Sequence, residues 1–149
     1  MQRIITDEYK EFSEKYQFTP AVKKGNMIFT SAIFGSVFKN APSFLKQADY
    51  YESHLSKMGK ILIGRGPVNQ AKIICFHLEE ILKGADANLS DIVRLNISFM
   101  HKVKKSELIP ALQIIKSKFK DAIPTYELGR MDFPALKGVL LQVSATAIV

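Results

Sequence analysis

The chain of 149 residues has no tryptophan and only one cysteine, Cys75. A lone thiol cannot form an internal disulfide, which agrees with a reducing compartment. Cys75 falls inside an apolar helical pattern, where the usual outcome is a buried and unreactive thiol. We therefore expect no nucleophilic role for Cys75.

Long apolar runs are also missing from the chain. No stretch approaches the roughly 20 residues that cross a bilayer, and the opening MQRIITDEYKEF lacks the apolar segment of a secretory signal. The sequence therefore predicts a soluble, cytoplasmic protein with no membrane partner.

The composition that is present is typical of a globular protein. Apolar residues make up 47% and charged residues 23%, and the length suits a single domain, which we expect to span residues 1–149. The 21 basic and 14 acidic residues give a net charge of +7, but the basic residues are scattered. Because no nucleic-acid-binding motif accompanies them, nucleic acid is not the expected partner.

Hydrophobic periodicity predicts strands that alternate with helices. The predicted elements are a hairpin of 18–22 with 26–33, a helix at 69–83, a strand at 92–100, a helix at 107–120, and strands at 126–131 and 139–148. Helices interleaved with strands indicate an α+β fold, a mixed sheet with two helices packed on one face. In the last strand a small apolar face alternates with a semi-polar face, which would be solvated in a monomer and could contact another subunit in an oligomer.

The segment 35–68 mixes glycine, proline, lysine and aromatic residues without a clear period. A loop of this length is unusual inside a compact domain, so we expect a partly helical excursion within 42–58. Its expected packing residues are Tyr50, Tyr51, Leu55 and Met58. The run KILIGRGP at 60–67 lacks both the Walker lysine spacing and the dinucleotide glycine triplet, which favours a turn between two elements over a nucleotide site.

The histidines give little support for metal or acid–base chemistry. His77 and Glu80 are three residues apart and could share a metal, but two ligands do not make a site, and a solvated helix face is the expected alternative. His101 has no acid or thiol next to it in sequence, so a catalytic role is unsupported. No metal or organic cofactor is expected.

Four segments, taken in order, resemble the reactive-intermediate deaminase superfamily, the RidA or YjgF-like proteins. They are GNMIFTSA at 25–32, LKGADANLSDIVRLNISF at 82–99, IPTY at 123–126 and VLLQVSATAIV at 139–149. The resemblance implies a chorismate-mutase-like α+β fold and a homotrimer with a ligand cleft between adjacent subunits. The segment 35–68 is longer than the family usually has and is interpreted as an insertion. Family members that are deaminases hydrolyse enamines and imines, such as 2-aminoacrylate, to 2-keto acids and ammonia without a cofactor.

The same resemblance implies a set of cleft positions. The family's carboxylate-binding arginine corresponds to Tyr126, and its glutamate near the end of the last strand corresponds to Ser144. The candidate ligand-binding residues are Phe18, Ser31, Ala32, Tyr126, Leu128, Arg130, Gln142 and Ser144. A tyrosine is neutral near pH 7 and cannot form the bidentate ion pair of an arginine. Arg130 lies on the same strand face, about 13 Å from Tyr126, and is a candidate for a shifted anion site.

With Tyr126 and Ser144 at the positions of the family's arginine and glutamate, three functions remain open. In the first, the cleft hydrolyses an enamine, an imine or a related metabolite that depends less on a carboxylate clamp. In the second, catalysis is lost and the trimer binds a metabolite or a partner, with 35–68 as the recognition surface. A relative that binds or cleaves RNA is the third and ranks lowest. A simple packing role for Tyr126 is also compatible with the sequence.

Overall fold

The last strand of the chain lies in the middle of the main sheet. The computed structural model describes residues 1–38, 41–55, 59–134 and 136–149. The main sheet has the strand order β1-β2-β3-β10-β8-β9, and β4 also pairs with β10. These strands are β1 Gln2–Ile4, β2 Ala21–Lys24, β3 Met27–Thr30, β4 Ile33–Phe34, β8 Ile92–Met100, β9 Thr125–Met131 and β10 Leu141–Ile148.

All neighbours in this sheet are antiparallel except β8 and β9, which are parallel. The connection between those two strands contains the helix α3 (Lys105–Ser117), because parallel neighbours need a crossover. Helix α2 (Gly66–Lys83) packs beside α3 and against β10, so both helices cover one face. The mixed α+β sheet predicted from the sequence is confirmed.

The strongest sequence patterns correspond closely to these elements. The strand predicted at 92–100 is β8, and the predicted hairpin is formed by β2 and β3, with Pro20 just before β2. Helix α2 begins three residues earlier than predicted, with Pro67 in its first turn, where no N–H partner is needed. Helix α3 begins at Lys105, because the N–H of Lys104 donates to the Glu107 carboxylate and caps the helix there. A short helix near the N-terminus, α1 (Lys10–Tyr16), was not predicted.

Of the partly helical segment predicted within 42–58, the described residues contain only a 3-10 helix at Gln47–Asp49, and the main elements of this region are strands. Three antiparallel strands, β5 (Ser36–Val37), β6 (Tyr50–Leu55) and β7 (Gly59–Gly64), form a small second sheet in the order β5-β7-β6. The strand β7 was not predicted because Ile61, Leu62 and Ile63 are all buried, so it has no alternating pattern. Tyr51 packs against the main core and Tyr50 against a smaller cluster, whereas Met58 and the side chain of Leu55 lie outside the described residues.

A buried glutamine ties the two sheets and α2 together. Gln70 is fully buried, and its Nε2 donates to the carbonyls of Gly64 and Gly138 at 3.0 and 2.9 Å. Its Oε1 accepts from the N–H of Leu140 at 2.8 Å. Gly35 packs directly against this side chain, so closely that an added Cβ would collide with it. Gln70 thereby holds in place the backbone at Gly138 and Leu140, which leads into β10.

The sequence suggested that His77 lies on a solvated helix face. This prediction is wrong, because His77 is almost completely buried. Its Nε2 lies 2.6 Å from the carbonyl oxygen of Ser36, and because a carbonyl only accepts, Nε2 carries the proton. The ring of Tyr9 packs against it with 5.0 Å between centroids. Burial lowers the pKa of His77 to about 4, and it raises the pKa of the Cys75 thiol to about 12. The expected burial of Cys75 is confirmed.

Gln70→Leu is expected to lower the free energy of unfolding by about 3 kcal/mol, because it removes three hydrogen bonds to backbone groups, one of them buried and two part-buried. Urea unfolding at pH 7 measures this value. Gln113→Leu is the matched control, since Gln113 is exposed on α3. Equal losses in the two variants would contradict the role given to Gln70.

Protonation of His77 should make the fold sensitive to acid. Between pH 6.5 and about 4 the unfolded chain binds a proton that the folded imidazole does not, so stability falls as the pH drops through this window. The loss attributable to His77 is about 3 kcal/mol. Urea unfolding at pH 7 and pH 4.5 should show a smaller loss in His77→Gln than in the wild type. The exposed control His101→Gln should behave like the wild type, and a wild-type response in His77→Gln would refute the assignment.

Candidate functional site

The candidate residues of β10 lie on the sheet face opposite α2 and α3, which we call the open face. Burial alternates along this strand, with Leu141, Val143 and Ala145 in the core. Gln142 and Ser144, between them, are half-buried on the open face. The two faces predicted from the sequence of the last strand are therefore confirmed.

Polar side chains of β8 complete this part of the open face. Ser144 lies opposite Asn96, whose Nδ2 donates to the Ser144 Oγ at 3.4 Å, and Gln142 lies opposite Ser98. The Asn96 Oδ1 is shielded from solvent and has no hydrogen-bond partner within the described residues. Asn96 was not singled out in the sequence, although it belongs to the mixed face of the alternating strand at 92–100. The amide and hydroxyl groups here can hold water or a polar ligand.

Tyr126 lies on the other face of the sheet, at the margin of the helix layer. In the parallel register of β8 and β9 it is opposite Leu95, which is fully buried. The Lys116 Nζ of α3 lies 5.6 Å from the centre of the Tyr126 ring, within reach of a cation–π contact. The Tyr126 hydroxyl is shielded and has no partner in the described part of the chain, and this burial raises its pKa. Tyr126 is therefore a neutral side chain at physiological pH.

Strand alternation places Leu128 and Arg130 on the same face as Tyr126. They lie opposite Ile97 and Phe99 of β8, at the exposed edge of the sheet. Leu128 is 53% exposed, and Arg130 is exposed as well. Within one subunit, the sheet thus separates these side chains from Gln142 and Ser144.

The remaining candidates lie just outside the hairpin of β2 and β3, with Phe18 before β2 and Ser31 and Ala32 after β3. Ser31 donates its hydroxyl to the Thr19 carbonyl at 2.6 Å and its N–H to the Pro20 carbonyl at 2.8 Å. Because the hydroxyl proton is already used, Ser31 offers a ligand only its lone pairs. Phe18 stacks on Tyr9 with 5.8 Å between ring centroids, and Ala32 lies half-buried between β3 and β4.

Among the described residues of one subunit, the candidates of β9 and β10 lie on opposite faces of the sheet. Four cavities, of about 630, 410, 470 and 270 Å³, are lined by other residues. No three histidine, cysteine or acidic side chains among the described residues are close enough together to hold a metal ion. The helices of the described chain are too short or too polar to cross a membrane.

Solved structures with the same architecture identify the fold. Rv2704 of Mycobacterium tuberculosis, a member of the YjgF/YER057c/UK114 family, superposes with a TM-score of 0.71 at 16% identity, over 99% of this chain and 98% of its own. RidA of an Antarctic Psychrobacter superposes with a TM-score of 0.70 at 17% identity, over the whole of both chains. The chain has the RidA-like fold.

The RidA-like fold is shared at low identity with a ligand-bound structure as well. TdcF of E. coli, solved with bound serine, superposes with a TM-score of 0.64 at 17% identity, over 89% of this chain and 87% of its own. No protein-family model matches the sequence, and no curated protein matches it at a significant level. The structures thus confirm the fold predicted from the sequence, and the cleft residues remain predictions.

Tyr126→Phe is expected to change the free energy of unfolding by less than about 0.5 kcal/mol, because the removed hydroxyl has no partner to lose. Tyr126→Ala removes the ring itself and should cost about 2 kcal/mol or more. Urea unfolding measures both. A loss above about 1 kcal/mol in Tyr126→Phe would show that the hydroxyl is bonded in the assembled protein.

Proposed function

We propose that this RidA-like chain forms a homotrimer in which the open face of each subunit is covered by a neighbour. The observation that carries the proposal is the mixed surface of that face. Met27, Phe29 and Ile148 are large apolar residues there, and Phe29 is 41% exposed. The Asn96 Oδ1, which has no hydrogen-bond partner among the described residues, lies on the same face. Apolar side chains beside an unpartnered polar atom are typical of a surface completed by another subunit.

We further propose that the cleft for a small molecule lies between adjacent subunits. Tyr126, Leu128 and Arg130 are on the opposite face from Gln142 and Ser144, so a neighbouring subunit is needed to bring the two groups together. The bound serine in TdcF, which has the same fold at 17% identity, supports a small, polar ligand of amino-acid size. A cytoplasmic location, suggested by the lone cysteine, is part of the same proposal.

The reaction that suits such a cleft is hydrolysis of an enamine or imine. An enamine first tautomerises to the imine by moving a proton from nitrogen to carbon. Water then adds its oxygen to the imine carbon while one of its protons moves to the nitrogen, which gives a carbinolamine. The C–N bond breaks as the hydroxyl proton of the carbinolamine also passes to the nitrogen, so that the products are a carbonyl and ammonia. Asn96, Gln142 and Ser144 can position the water by hydrogen bonds. None of the three is a strong base, so the rate must depend on the intrinsic reactivity of the substrate. Arg130 is the candidate cation for a substrate anion.

A binding protein without catalysis is the second candidate function. The neutral Tyr126, packed under Lys116, favours it, because the position that corresponds to the family arginine carries no charge. Binding of serine without ammonia release from an imine would separate this candidate from the first.

The assembled protein is expected to sediment with a mass of about 50 kDa, three times the 16.8 kDa chain. Phe29→Glu should shift the mass toward that of one chain, because it places a charge on the open face. Phe44→Glu is the matched control, since Phe44 is 46% exposed but contacts Phe76 of α2 on the helix layer. A wild-type monomer, or equal dissociation of both variants, would contradict the trimer.

Ammonia release from freshly generated 2-aminoacrylate or 2-iminobutyrate should exceed the rate in buffer. Ser144→Ala is expected to lower the enzymatic rate about tenfold, the effect of one lost hydrogen bond to positioned water. Ser117→Ala, on the exposed face of α3, is the control and should leave it unchanged. A wild-type rate equal to that of buffer would remove this substrate class and leave the binding protein.

A further inference from the structure

The outer surface of the helix layer holds a cavity that the proposed cleft does not use. It has a volume of about 630 Å³ and lies where the C-terminal ends of α2 and α3 meet the turns that follow them. Its apolar lining includes Leu89 and the buried ring of Phe119, together with Ala87 and Ala122. A volume of this size is within the usual range for small-molecule sites, about 300 to 1,000 Å³.

Three lysines from two elements surround this apolar lining. Lys83 comes from the last turn of α2, and Lys118 and Lys120 follow α3. The Lys118 Nζ is 3.5 Å from a carboxylate oxygen of Glu79. In the described part of the chain, Lys83 and Lys120 form no ion pair. The lining therefore carries three ammonium groups and two carboxylates, those of Glu79 and Asp121, and of the three lysines only Lys118 is paired within the described residues.

A second cavity, of about 410 Å³, continues along the same side of α2. It shares Glu79 and Lys118 with the first, so this ion pair lies between the two. Phe44, Phe76 and Ile114 supply its apolar lining, and Lys72 its other charge. From Lys72 to Lys83 the two cavities follow α2 for about 17 Å. We call this surface the outer groove.

We propose that the outer groove binds a small anionic amphiphile, a molecule with an apolar body and a carboxylate, sulfonate or phosphate head. The head contacts Lys83, Lys118 and Lys120, whose ammonium groups act as point charges toward any oxyanion. The body lies on Leu89 and Phe119 and extends past the Glu79–Lys118 pair toward Phe76. Binding of the head competes with Glu79 for Lys118, which favours strong anions over neutral polar groups.

This site is independent of the proposed enzymatic function. The outer groove lies on the helix layer, whereas Asn96, Gln142 and Ser144 lie on the open face across the sheet. A trimer formed through the open face leaves the outer groove exposed. A failure to bind an amphiphile therefore leaves the proposed enzymatic function intact, and a failure to release ammonia leaves the proposed amphiphile site intact.

Titration of the full-length protein with octanoate, followed by amide chemical shifts in two-dimensional NMR, tests the proposal. The expected shifts map to residues 76–79, 83–90 and 118–122. Octyltrimethylammonium, which has the same body with a cationic head, and acetate, which has the head alone, should bind at least tenfold more weakly. Raising the salt concentration should weaken octanoate binding, because exposed charges are screened.

The double substitution Lys83→Gln with Lys120→Gln should weaken octanoate binding at least tenfold. Lys102→Gln with Lys105→Gln is the matched control, because it removes the same charge from exposed positions around the start of α3. The proposal is overturned by any of three results: no octanoate binding, shifts that map elsewhere, or equal binding by the two double variants. Equal affinity for the cationic amphiphile would also overturn it.

Discussion

The central position of β10 is the constraint on which the rest of this structure depends. A strand with neighbours on both sides must present one face to each layer, and its alternating side chains decide which face is dry. Leu141, Val143 and Ala145 face the helices, and Gln142 and Ser144 do not. Because β3, β4 and β8 all pair with β10, the main sheet cannot form without this strand.

Two buried polar side chains of α2 connect this helix to the second sheet and to the segment before β10. Gln70 binds the end of β7 and the approach to β10, and His77 binds the carbonyl of Ser36 in β5. Both serve backbone groups that would otherwise be buried without a partner, so their role is to position the second sheet. The open face receives no such cover within the subunit. Its apolar and polar groups are the physical basis for expecting a neighbouring subunit there.

Local periodicity was sufficient to predict β8, β10 and α2, because each has one dry face and one wetter face. It failed for β7, whose three isoleucine and leucine residues are buried on both sides, and for His77, whose burial depends on the distant strand β5. The candidate cleft residues illustrate a further limit. Sequence alternation places Tyr126 and Arg130 on one face of β9, but only the pairing of β9 with β8 shows that this is not the face of Ser144. The sequence also gave no signal for the outer groove, whose residues are far apart along the chain.

Protection of the open face from a thiol reagent tests the central claim most directly. Cys75 is buried with a raised pKa, so the native chain should react slowly and provide a low background. A cysteine introduced by Thr146→Cys, opposite Phe29 on the open face, is expected to react much more slowly than one introduced by Gln113→Cys on the exposed side of α3. Phe29→Glu, added to Thr146→Cys, should restore rapid reaction by separating the subunits. Rapid labelling of Thr146→Cys in the otherwise native protein would contradict an open face that is covered by a neighbouring subunit.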